Sequence, residues 1–265
     1  MTPRPRVAGP LLLGHRGASA DYPENTLAAF AAALDAGAGG VELDVRLSRD
    51  GVPVVIHDAG LARTTGVPGL VAERTRAELA GLDAGAWRGR PGEPVPTLEE
   101  ALTVVAGRGV TAIELKETAA VHPGLAATLL EVAERAGVLG SVLILAFDHA
   151  HLPAARRRAP EVPTVALTAD RPADPAELLA ATGAALIGPP AGGVDAWLCD
   201  AVHAAGGQVL AWTVDDPVRF DELLAAGCDV LVSNRPALMA DRLRRWSAAP
   251  GPAPGRAAGR PSAGR

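Results

Sequence analysis

Eight short apolar runs, each followed by an amphipathic helical pattern, predict an α/β chain folded as a closed (β/α)8 TIM barrel. Length leaves one or two domains open, but 265 residues is the size of a barrel that forms a single domain. A tight-turn signal after the second run explains the one break in the rhythm. With 48% apolar residues the chain can bury a large core, and because aromatics supply only 3%, Ala, Val and Leu must fill it.

The elements alternate in order. LLLG at 11–14 precedes the helical pattern TLAAFAAALDAG, and VELDV follows at 41–45. TLEEALTVVAG at 97–107 then leads to TAIEL, with LAATLLEVAERAG behind it, and VLILAF at 142–147 leads to HLPAARRRA. TVALT and PAELLAATG, AALIG and VDAWLCDAVHAAG, QVLAW and PVRFDELLAAG, and DVLVS and PALMADRLRRW complete the set. Helix ends are expected at Gly37, Gly107, Gly137, Gly206 and Gly227, where a residue without Cβ enters the left-handed region freely. Thr97 three residues before Glu100 reads as a capping box.

The break is VELDVRLSRDGVPVVIHD, in which Asp50-Gly51 separates two alternating apolar segments and predicts a hairpin. The returning segment brings His57 and Asp58 back to the level of Glu42 and Asp44. Residues from 59 to about 96 lose the β/α spacing and read as an insertion, a lid or small subdomain. Residues 1–10 and 247–265 lack apolar periodicity and are expected to be disordered tails around a barrel at 11–246.

A net charge of -5 shows no basic bias, which argues against nucleic-acid or membrane surfaces and leaves a small soluble substrate as the expected partner. Cys199 and Cys228 are expected to be free thiols. The apolar run near the N-terminus is three leucines, short of a signal-peptide core, and nothing approaches the roughly 18 residues of a membrane span. A cytoplasmic protein is therefore expected. Oligomeric state has no signal.

Side chains alternate along a strand, so Glu42, Asp44 and Arg46 share a face that a barrel points inward. An isolated pair of acids in this pattern also fits a solvent-facing edge. Glu114 and Lys116 repeat the pattern on the next strand, and three carboxylates at one end of adjacent strands suit a hard divalent cation, Ca2+ or Mg2+. The bland alternative is a structural ion network. His15 and His57 each end an apolar run where barrel active sites are built; singly such histidines are usually structural, but as a pair they suit general acid-base chemistry. His122, His149, His151 and His203 fall in or beside helices and are given surface or packing roles. Trp212 closes QVLAW, where it either covers the nonpolar part of a substrate or closes a barrel layer.

These residues sit in motifs that run in one order: HRG at 15–17, ENT at 24–26, ELD at 42–44, HD at 57–58, RTTG at 63–66, PTLEE at 96–100, ELK at 114–116 and WTV at 212–214. Over roughly residues 11–240 the chain closely resembles the glycerophosphodiester phosphodiesterase family. The resemblance implies metal-dependent hydrolysis of glycerophosphodiesters such as glycerophosphocholine to sn-glycerol 3-phosphate and an alcohol. It places Glu42, Asp44 and Glu114 at metal-ligand positions, His15 and His57 at the base and acid positions, Arg16 and Lys116 on phosphate, and Trp212 at the substrate site. ENT belongs to the family signature; at the start of the first helix Asn25 or Thr26 can cap exposed backbone N–H groups, and no chemical role is expected of it.

The chain departs from the family pattern at Ala146, where serine is frequent, at Ser233-Asn234, where Thr-Asp is common, and at Asp215, where asparagine is frequent. These positions are expected to affect substrate range more than activity. Two rivals remain at this level. A lysophospholipase D-like enzyme needs an apolar platform, for which the insertion offers Leu61, Val67, Leu70, Val71 and Trp87. A catalytically inactive barrel that binds a phosphorylated ligand has no use for a proton relay.

Overall fold

Parallel pairing carries most of the architecture of the computed structural model, which describes residues 5–248. Strand β1 (Leu11–His15) leads through helix α1 (Leu27–Asp35) to β2 (Gly40–Leu47), and β3 (Pro53–Val55) folds back antiparallel on β2. A segment holding the short helices α2 (Ala62–Thr65) and α3 (Arg76–Ala80) precedes α4 (Leu98–Val105). The alternation then runs β4 (Val110–Leu115), α5 (Leu125–Arg135), β5 (Val142–Ala146), α6 (His151–Arg158), β6 (Thr164–Leu167) and α7 (Pro175–Thr182). It ends with β7 (Leu186–Gly188), α8 (Ala196–Ala204), β8 (Gln208–Ala211), α9 (Pro217–Ala225), β9 (Val230–Ser233) and α10 (Pro236–Ala248). Because β1 pairs in parallel with both β2 and β9, the eight parallel strands close into the expected (β/α)8 barrel.

Alternation divides the apolar residues into two cores. Leu13, Ala112, Leu143, Val165, Leu210 and Val230 belong to a cluster built almost wholly from strands, the barrel interior. Their neighbours Leu12, Val41, Ile113 and Ile144 pack instead with helix residues such as Phe30, Leu129 and Phe220. Burying one such side chain completely stabilises the fold by about 1.5–3 kcal/mol before entropy is counted.

The helix signals act where the spacing put them. Thr97 and Glu100 form a reciprocal capping box, and Gly37, Gly107, Gly137, Gly206 and Gly227 all have positive φ. Both cysteines are free and buried. Among the described residues, no helix is long and apolar enough to cross a membrane.

Two boundaries move. Val7 exchanges hydrogen bonds with the Gln208 side chain, so the tail expected at 1–10 is anchored from that residue onward. The last helix continues through Ala248, two residues into the tail expected at 247–265. Residues 1–4 and 249–265 lie outside the described residues.

The insertion has a core of its own. Leu61, Val71, Leu79, Ala84 and Val95 bury against Val54 and Ile56 of the hairpin. Two of the residues proposed for an acyl platform, Leu61 and Val71, are thus consumed in holding the insertion together.

Candidate active site

Strand register brings the acids together. His15 pairs with Glu42 across β1 and β2, and Asp44 pairs with Glu114 across β2 and β4. One carboxylate oxygen from each of Glu42, Asp44 and Glu114 lies within 4.8 Å of the others, and all three residues are buried. Two cations face them. Lys116 Nζ is 2.5 Å from Glu114 and 3.0 Å from Asp44, and Arg16 Nε is 3.2 Å from Asp44.

That crowding shows in proton affinity. Burial, followed by the charge of Asp44, pushes Glu42 up to about 8 and Glu114 up to about 7. Burial opposes ionisation of Asp44 as well, but Lys116 and Arg16 outweigh it and hold that carboxyl down at about 2. The donor set is wholly carboxylate oxygen, the chemistry of a hard cation. Asp44 Oδ1 fits such an ion further: it is buried and, despite the nearby Lys116 charge, accepts no well-aligned hydrogen bond.

A cavity of about 300 Å3 opens over this cluster. His15, Arg16, Glu42, His57, Glu114 and Lys116 form its charged side, while Leu145, Leu167, Leu210 and Val232 form an apolar wall. Trp212 and Phe147 complete the wall, edge to face at 5.6 Å, with the indole N–H donated to the Gly188 carbonyl at 2.8 Å. Seven of the eight residues expected at the site therefore line one cavity; Asp44 lies behind its wall. His122, His149, His151 and His203 do not line it.

Each histidine is held from behind. His57 Nδ1 lies 2.6 Å from Asp58, whose own carboxyl is held at about 2, chiefly by the Arg63 hydrogen bond. A carboxylate accepts only, so Nδ1 carries a proton and Nε2 is left for chemistry. His15 Nδ1 lies 2.7 Å from the Asn234 side-chain oxygen, and its Nε2 is 3.9 Å from Glu42. Burial, with the Arg16 charge, lowers the proton affinity of His15; burial also lowers that of His57, against the pull of Asp44 and Asp58.

The turn after β1 is shaped for this. Arg16 and Asn25 both sit in the left-handed region, at φ 54 and φ 57, and the Arg16 N–H donates to Glu42 at 3.0 Å. Gly17 is required beside them, because a Cβ there would stand 2.5 Å from the Ala29 carbonyl carbon.

The cap expected in ENT is present at Thr26, and its neighbours do something else. Thr26 does cap α1, accepting the Ala29 N–H, but Asn25 caps nothing. Its amide donates to the Asp44 carboxylate at 2.7 Å, and its oxygen faces the Asp44 N–H at 3.3 Å. Glu24 accepts from Arg16 and, through both oxygens, from Arg63 of the insertion. Asn25 thus touches the acidic cluster directly and Glu24 reaches it through Arg16, and the motif's order beside HRG was the available signal. Arg46 was expected to share the acidic face; it holds the His57 carbonyl at 2.8 Å and Glu117 at 2.9 Å.

Three of the four departures from the family pattern lie together. Asp215 is hydrogen-bonded to Ser233 and Asn234 behind His15, and none of the three lines the cavity. Nothing in single-sequence periodicity links positions 15, 215 and 234.

Comparison with known proteins identifies the family. A sequence model of the glycerophosphoryl diester phosphodiesterase family matches residues 15–238. A glycerophosphodiester phosphodiesterase of Caldanaerobacter subterraneus subsp. tengcongensis is 31% identical over 238 residues, covering 89% of this chain and 98% of that protein. One from Bacillus altitudinis is 33% identical over 231 residues, covering 85% and 94%. Among solved structures, an Oleispira antarctica phosphodiesterase in complex with the product sn-glycerol 3-phosphate superposes with a TM-score of 0.82. It is 31% identical, covering 89% of this chain and 97% of that one. On the strength of fold, site and these relatives, the chain belongs to the glycerophosphoryl diester phosphodiesterase family, whose members are phosphoric diester hydrolases.

Proposed function

We propose that this protein hydrolyses small glycerophosphodiesters, such as glycerophosphocholine, to sn-glycerol 3-phosphate and an alcohol. One observation carries the proposal: two histidines, two cations and two of the three clustered acids line a single cavity that also has an apolar wall. The product bound by the Oleispira phosphodiesterase supports the glycerol phosphate half of the substrate. Glu42, Asp44 and Glu114 would hold Ca2+ or Mg2+, and that ion, when bound, supplies positive charge to the phosphoryl oxygens.

The chain's own residues do the rest. Arg16 and Lys116 face the phosphate and offset the charge that grows on its oxygens as the nucleophile approaches. His15, backed by a neutral amide, presents Nε2 to take the proton of the nucleophile, which is either water or the neighbouring glycerol hydroxyl; in the second case a cyclic phosphate forms as the alcohol leaves, and water then opens it to sn-glycerol 3-phosphate. His57, backed by the Asp58 carboxylate, is the better imidazolium and gives its Nε2 proton to the departing alkoxide. Trp212 and the leucine wall cover the nonpolar part of the substrate and exclude water.

The lysophospholipid alternative gains little here. Leu61 and Val71 are buried in the insertion, leaving Leu70 and Trp87 exposed and Val67 half-buried as the remaining members of the platform. A leaving-group comparison tests the roles. His57→Ala should nearly abolish cleavage of glycerophosphocholine yet cost far less with an activated aryl ester, whose departing oxygen needs no proton. Equal losses on both substrates would remove His57 as the acid.

A further inference from the structure

The support behind His15 is a chain of three side chains with a built-in direction. Asp215 follows β8, Asn234 follows β9, and neither lines the cavity. Asp215 Oδ1 accepts two donors, the Asn234 backbone N–H at 2.8 Å and the Ser233 hydroxyl at 3.0 Å. Its Oδ2 lies 2.6 Å from Asn234 Nδ2. A carboxylate has no proton to offer, so the amide must turn its NH2 toward Asp215 and its oxygen toward His15. The Ser19 hydroxyl lies 2.6 Å from that oxygen and 2.7 Å from the His15 carbonyl, and its single proton serves one of the two, so the direction is set by Asp215.

We infer that Asp215 is a positioning residue which, acting through the Asn234 amide, fixes the proton of neutral His15 on Nδ1 and leaves Nε2 bare toward the cavity. The function of this lock rests on the proposal that His15 is the base. Without it, an amide at position 234 can present either oxygen or NH2 to the ring, and the second choice places the ring proton on Nε2, where it blocks proton abstraction. A neutral residue therefore does here what an acid does behind His57, and it does so only because an acid stands behind it.

Substitution at 215 separates this from a packing role. In Asp215→Asn, the new amide oxygen must stay at the Oδ1 position, where two donors meet it, so its NH2 faces Asn234. Asn234 then flips, and its NH2 points at His15. Adding Asn234→Asp reverses the outcome: the amide at 215 donates to the new carboxylate, which accepts the Nδ1 proton of His15 as before.

The experiment uses full-length protein supplied with Mg2+, glycerophosphocholine kinetics, and long-range 1H–15N spectra of histidine-labelled protein, with His15 assigned by its loss in His15→Gln. Asp215→Asn should lower kcat by about ten- to a hundredfold, hold KM within about twofold and move the His15 proton to Nε2. The double variant should return the proton to Nδ1 and recover kcat to within about threefold of the parent. If Asp215→Asn does not fold, the double variant decides by itself. Retention of the Nδ1 proton in Asp215→Asn, or a double variant no better than the single one, would overturn the lock. A proton that moves while kcat stays unchanged would leave the lock standing and remove His15 as the base.

Discussion

Replacing Asn25 with alanine tests how the turn after β1 serves the acidic cluster. Asn25 is buried, its amide donates to the Asp44 carboxylate at 2.7 Å, and its backbone is left-handed at φ 57. Losing a hydrogen bond to a charged group costs about 1.5–3 kcal/mol. Placing alanine in the left-handed region adds about 1–2 kcal/mol. Asn25→Ala should therefore destabilise the metal-free protein by about 2.5–5 kcal/mol in urea denaturation. Asn25→Gly keeps the backbone cheaply and should cost about 1.5–3 kcal/mol. Both variants should bind a divalent cation more weakly, since Asp44 loses the partner that orients it. Coincident midpoints for the two variants would refute the backbone argument, and a glycine variant within 0.5 kcal/mol of the parent, on the order of ordinary surface substitutions, would refute the Asp44 contact.

Other consequences follow from the charges. Glu42→Gln should weaken Mg2+ or Ca2+ binding by at least about tenfold in calorimetry, and unchanged affinity would take Glu42 off the ligand set. Glu42 and Glu114 stand at about 8 and about 7, above their values in an unfolded chain. The stability they contribute is complete below the unfolded carboxylate range and is lost as pH rises through 7 and 8. A cation needs both ionised, so it should raise the melting temperature more at pH ~8.5 than at pH ~6 and release protons on binding at the lower value; an equal rise at both would contradict this. Arg63→Ala removes the cation shared by Glu24 and Asp58, but Arg63 is half exposed, so the stability loss should stay below about 1 kcal/mol. Turnover should fall about three- to tenfold as Arg16 and His57 loosen, and lysine should not restore it, having one point charge for two carboxylates. Full activity in either variant would disconnect the insertion from the site.

Much of this was legible because strands and helices write their periods locally. VELDV and TAIEL show which side chains share a face, and Asp50-Gly51 shows where the chain turns back, so the sequence alone groups Glu42, Asp44, Glu114 and His57. What escaped has two physical origins. Asn25 and Glu24 act through a left-handed turn, and single-sequence patterns assign such residues to caps. Asn234 and Asp215 reach His15 only because β9 closes against β1, a contact across 219 residues that no periodicity records. The insertion's role was hidden for a third reason: Arg63 bonds to Glu24 across 39 residues, through side chains that any exposed loop could carry.

The most direct test is release of sn-glycerol 3-phosphate from glycerophosphocholine by the purified protein, before chelation, after it, and after Mg2+ or Ca2+ is returned. The acidic cluster beside His15 and His57 predicts release that chelation abolishes and the returned cation restores. Release that chelation leaves untouched would contradict the metal site, and no release from any glycerophosphodiester would contradict the proposed activity.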